Sequence, residues 1–164
     1  MNAEIANEFP DEQLEKFVGK SYSFYQQKWQ KSKNDNNNPM SWNMAAFFLG
    51  LVWMVYRKMY KYAFIVFGVI VVESIFEEML GFSSAMTYGA NIVFALFFGF
   101  YGNAIYQRHA KNKISEISTS YPPEQVEVEI ERQGGVNMLF AVGISLFFIL
   151  LVVAIFWSAS TVAP

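Results

Sequence analysis

The sequence predicts an all-α fold: a small multi-pass helical membrane protein with three full spans, one short re-entrant or interfacial helix, and an amphipathic cytoplasmic N-terminal helix. Three observations predict it. Charged residues are 16% of the chain and hydrophobic ones 54%, where soluble domains carry roughly 25% charged residues. Two runs, 85–106 and 136–159, contain no charge at all, and each is long enough to span a bilayer. Lys and Arg gather in three clusters: Lys28, Lys31 and Lys33; Arg57, Lys58 and Lys61; and Arg108, Lys111 and Lys113. A topology that puts all three on one side satisfies the positive-inside rule.

Residues 1–40 are expected to be a cytoplasmic tail followed by the amphipathic helix. The first residues carry acids and no apolar core, so they do not read as a signal peptide. Pro10-Asp11-Glu12 marks a helix start, with Pro in the first turn and acids at the positive end of the dipole. Leu14, Phe17, Val18, Tyr22, Tyr25 and Trp29 then recur at helical spacing, with lysines between them. One helix is expected over 11–33, stopped by the breaker cluster NDNNNP. Its apolar face needs a cover: the bilayer surface, the protein's own 107–135 loop or another protein. That loop holds Glu116, Glu124, Glu127, Glu129 and Glu131, which complement Lys16, Lys20 and Lys28. The helix is therefore expected to cap the cytoplasmic ends of the spans.

Residues 41–58 are the re-entrant or interfacial element. The apolar stretch Met44 to Tyr56 has thirteen residues; a helix of that length reaches roughly 20 Å, short of a core roughly 30 Å thick. Crossing would also place one of its two basic flanks outside. Entering and returning, or lying in the interface, keeps both inside. Trp42, Trp53, Arg57, Lys58 and Tyr60 form the expected lipid or interface contact, being aromatic with a polar tip or basic.

Residues 59–106 are expected to form a transmembrane hairpin around the Gly81-Phe82-Ser83-Ser84 turn. Glu73 and Glu77 lie one turn apart on one face and are a candidate ion or proton site. Ala85, Gly89, Asn91, Ala95, Gly99 and Asn103 form the expected helix-packing face of the second span, small residues permitting close approach and amides bridging helices. Residues 107–135 are a cytoplasmic loop. Within it YPPEQVEVEIERQGG favours a short helix over a strand, opened by Pro and stopped by Gly-Gly. Residues 136–164 are a third span and a short outer tail.

Three blocks, FVGKSYSFYQQKW, SWNMAAFFLGLVWMVYRKMY and GNAIYQRHAKNKI, resemble the uncharacterised bacterial membrane family catalogued as domain of unknown function 2628. Many members have Pro after the glycine of the middle block, where this chain has Gly50-Leu51. The resemblance implies a small inner-membrane protein and supplies no activity.

Several function classes recede. A net charge of −2 leaves no basic footprint for nucleic acid. The absence of Cys removes thiol catalysis and thiolate metal sites. His109 stands alone and reads as a surface or interfacial side chain rather than a metal ligand. No nucleophile elbow, P-loop, zincin or dinucleotide pattern is present. The expectation is therefore a non-catalytic membrane protein without cofactor or metal, an accessory or scaffold subunit. Its expected partners are membrane lipid and a protein partner or further copies of itself. An oligomeric transporter or ion-conducting unit using Glu73 and Glu77 is the alternative.

Overall fold

The computed structural model describes residues 10–35 and 38–162, and all regular structure among them is helical. Helix α1 (Asp11–Val18) passes through a 3-10 turn at Gly19–Ser21 into α2 (Tyr22–Asn34). Then come α3 (Met44–Tyr56), α4 (Tyr60–Leu80), α5 (Ser84–Ser120), α6 (Pro123–Gln133) and α7 (Met138–Val162). The single helix expected over 11–33 is thus two. Gly19 has φ 68°, a left-handed conformation that costs glycine nothing and interrupts the helix. The apolar face survives the break: Leu14, Phe17, Val18, Tyr22, Tyr25 and Trp29 are all buried. The covers are α5 and α6, and Lys16 bridges to Glu127 of α6 at 2.9 Å.

The stretch 123–133 is a helix, as the Pro and Gly signals indicate. Helix α5 does not stop where its apolar run ends at Tyr106. It continues fourteen residues further to Ser120 as one 37-residue helix. Its far portion, through Ala110, Ile114 and Ile117, is the axis around which α1 and α6 pack.

Burial divides the molecule in two. The core comprises α1, α2, α3, the first turn of α4, the second half of α5 and α6. Beyond it α4, the first half of α5 and α7 expose large apolar side chains, among them Phe64, Met79, Val93, Leu139 and Leu150. Among the described residues two stretches are long and apolar enough to cross a membrane: α5, and Pro123–Ala154, whose apolar part is α7. Only 17% and 6% of their apolar windows are buried, whereas a core helix of a water-soluble protein would be mostly covered. Helix α4 has 21 residues, but Lys61, Glu73, Glu77 and Glu78 put at least three charges into every eighteen-residue stretch of it. Two helices of spanning composition therefore stand where three were expected.

His109 differs from expectation more sharply. It is buried, edge-on to Phe17 and Tyr62 and stacked near Tyr106. Burial, and secondarily Lys113, lower its pKa to about 4.

Candidate functional site

Helix α3 begins in a buried amide network. Asn43 caps it by accepting the Ala46 backbone N–H at 2.9 Å, which frees its own side-chain amide to donate to Asn103 Oδ1 at 2.8 Å. Asn103 Nδ2 donates to Ser41 Oγ at 2.9 Å, and the Asn103 carbonyl accepts from Trp29 Nε1 at 2.9 Å. The Ser41 and Asn43 backbone amides donate to the Phe100 and Gly99 carbonyls of α5. A Cβ at Gly102 would stand 2.7 Å from Ala46 Cβ, and one at Gly99 2.8 Å from Trp42 Cζ3. Here, then, α3 seats directly on the α5 backbone.

Helix α3 bends at Gly50, whose φ of 31° and ψ of −100° are not helical. The bend is made by the glycine alone, without the following proline. Beyond it Trp53 donates to the Tyr25 hydroxyl at 3.3 Å, and the helix ends at Arg57. Arg57 is 6% exposed. Its guanidinium carbon lies 4.7 Å from the Tyr25 ring centre, 5.2 Å from Tyr106 and 5.4 Å from Tyr56. Three π-faces attract the cation. Among the described residues no carboxylate pairs with it, and its Nε and Nη1 make no hydrogen bond. The Tyr106 hydroxyl is close to it, yet also makes none. Lys58 turns away, at φ 57°, and donates to the Arg132 carbonyl at the end of α6 at 2.9 Å. Its partial burial lowers its pKa.

Arg57 borders a groove of about 980 Å³ between α2, α3 and the start of α7. Lys20 of the 3-10 turn and Lys28 of α2 also line it, as do Trp42 and Asn43. Leu49, Val52, Ala141, Val142 and Leu146 line the rest. Among the described residues none that lines it is acidic.

The residues expected at a lipid interface are thus spread over different environments. Trp53 and Arg57 are core, Trp42 is half-buried against Phe47 and Phe100, and Tyr60 is exposed, its hydroxyl accepting from Asn137 at 2.9 Å. The expected packing face of α5 splits. Gly99 and Asn103 pack, Ala95 is half-buried, and Ala85, Gly89 and Asn91 face outward. Asn91 bonds back to Thr87 of its own helix. Glu73 and Glu77 do lie close to each other, one turn apart on α4. Glu77 also accepts from Thr87 Oγ1 of α5 at 2.9 Å, and its other oxygen is buried without a partner. Among the described residues no group of His, Asp and Glu is placed to hold a metal ion. The sequence reading passed over Asn43, Ser41 and Gly102; the Asn before an apolar helix was the available signal.

No curated protein and no solved structure is significantly similar to the chain. The family model described as protein of unknown function (DUF2628) matches residues 11–111, which take in α1 to α4 and most of α5, including the amide network and the Arg57 cage, and the chain therefore belongs to that family.

Proposed function

We propose that the protein is a three-span protein of the bacterial cytoplasmic membrane, with α4, α5 and α7 crossing, α3 re-entrant, and α1, α2 and α6 forming a cytoplasmic cap. It serves as a non-catalytic accessory or scaffold subunit, held by lipid and by a protein partner or further copies of itself. The observation that carries this reading is the division of the surface. Large apolar side chains are exposed along α4, the first half of α5 and α7, far beyond what a water-exposed monomer tolerates, while the charged helices α1 and α6 gather at the other end.

The path of α3 supports re-entry. It starts against Gly99 and Asn103 and ends beside the first turn of α7, where Asn137 N–H donates to the Tyr56 carbonyl at 2.8 Å. Between these ends Leu51 reaches an apolar recess lined by Phe67 of α4 and Phe148 of α7. Phe148 lies ten residues along α7, a depth of roughly 15 Å. The three carboxylates of α4 sit in its last two turns, where a span meets the outer headgroups.

Because the chain has no cysteine, topology is testable with single introduced thiols in intact cells. Ser83→Cys and Thr161→Cys should react with a membrane-impermeant reagent, and Asn34→Cys and Asn112→Cys should not. Labelling at both Asn34 and Ser83 would sink the re-entrant assignment.

A second reading, an oligomeric ion-conducting unit, draws on the Glu73–Glu77–Thr87 contact and on the unpartnered Glu77 oxygen. It predicts a cation or proton flux in liposomes that Glu73→Gln with Glu77→Gln abolishes. No flux from the native protein favours the accessory role.

A further inference from the structure

Resting on the three-span reading, we propose that the groove between α2, α3 and α7 binds one anionic phospholipid from the surrounding bilayer. Its phosphate is held by Lys20, Lys28 and Arg57, and an acyl chain lies along Val52, Val142 and Leu146.

Charge is the first argument. Lys20, Lys28 and Arg57 line the groove, and among the described residues no carboxylate stands on its walls; Lys16, Lys113 and Arg132 of the cap each pair with a carboxylate. Burial is the second. Arg57 is more than nine-tenths covered, borders the groove, and keeps two guanidinium nitrogens without hydrogen bonds. A buried charge is costly unless paired, and the rings of Tyr25, Tyr56 and Tyr106 offset only part of that cost. An anionic oxygen in the groove beside Arg57 would balance that charge, and a guanidinium suits phosphate.

Shape is the third argument and selects the occupant. The cations stand on the cap side, and the opposite wall is the first turns of α7, Met138 to Leu146. Eight residues of helix carry that apolar wall roughly 12 Å along the span. A free anion would leave the apolar wall in contact with water. A neutral lipid would leave the three cations without a counter-ion. The groove is walled by α7 from Met138 to Leu146, and the same helix exposes Leu139 and Leu150 on the surface that the three-span reading gives to lipid, so a phospholipid enters sideways from the bilayer.

The test uses the full-length protein in mild detergent, titrated by native mass spectrometry with phosphatidylglycerol, with phosphatidylcholine and with inorganic phosphate. One phosphatidylglycerol should bind at least tenfold more tightly than phosphatidylcholine. Two basic residues at an anionic surface are together worth a factor of about thirty, so Lys20→Gln with Lys28→Gln should erase that preference and leave phosphatidylcholine unchanged. Val142→Trp, which fills the apolar end and touches no cation, should lose the lipid adduct at an unchanged melting temperature; it keeps the test decisive should Arg57→Gln fail to fold. Equal affinity for the two lipids, or a preference untouched by the lysine pair, overturns the proposal. So does inorganic phosphate displacing the lipid at equal concentration, which marks a site for free anions. Thiol labelling run on the same variants separates the two failures. If Ser83→Cys and Thr161→Cys react and no preference is seen, only the lipid site falls. If neither reacts, the three-span reading falls and takes the bilayer lipid with it.

Discussion

At the scale of single residues, close backbone contact sets the largest expected effects. Gly102→Ala forces a methyl to within 2.7 Å of Ala46 Cβ, and overpacking of this kind costs about 1–3 kcal/mol. Gly89 sits in the same helix with nothing within 4 Å of the added atom, so Gly89→Ala should be neutral or stabilise by up to about 1 kcal/mol. Thermal unfolding in detergent should rank the two in that order. His109 gives a pH dependence. Its site lies three residues past the uncharged run of α5, among Phe17, Tyr62 and Tyr106, with Lys113 and Glu116 as its charged neighbours. The folded pKa of about 4 lies below the usual value of roughly 6.5 in the unfolded chain. Between those values the unfolded state takes up the proton and the native state does not. Stability is therefore fully present above about pH 6.5 and falls as pH drops toward 4. Melting temperatures at pH 7.5 and 5 should differ more for the native chain than for His109→Gln.

At the scale of elements, the apolar face of α1 and α2 is the clearest case of legible sequence. Six side chains at three- and four-residue steps announced a face that needed covering, and all six are buried. Replacing Phe17 and Tyr25 by Ser removes two of them from a shared core with α5 and α6. The double variant should unfold well below the native chain, since each large apolar side chain contributes roughly 1.5–3 kcal/mol when fully buried. Native-like melting with loss of a co-purifying protein would assign the face to that protein instead. The break at Gly19 was hidden because one glycine inside a periodic pattern does not disturb the period. Asn103 was visible as a polar residue in an apolar run. Its partners were not, because Asn43 is sixty residues away and only the folded chain brings them together. Arg57 misled for the same reason. A basic residue ending an apolar run has the pattern of a surface anchor, and the aromatic rings that enclose it come from α2 and α5 as well as its own helix.

At the scale of the whole molecule, the packed end and the apolar-faced end share one strut. Helix α5 contributes Ile92, Val93 and Leu96 to the exposed apolar surface and, further along, Ala110, Ile114 and Ile117 to the packed core. Between Asn103 and Ser120 it holds neither glycine nor proline, the usual points of bending. Gly99 and Gly102 offer no hinge either, being wedged by Trp42 and Ala46. A helix of 37 residues is a rod of roughly 55 Å. On the proposed three-span reading, its tilt follows the thickness of the bilayer, and a change of about ten degrees swings the far end by roughly 10 Å. Under that reading, thickening or thinning the membrane becomes a lever stroke at the opposite end of the rod, with α1 and α6 carried along as its handle.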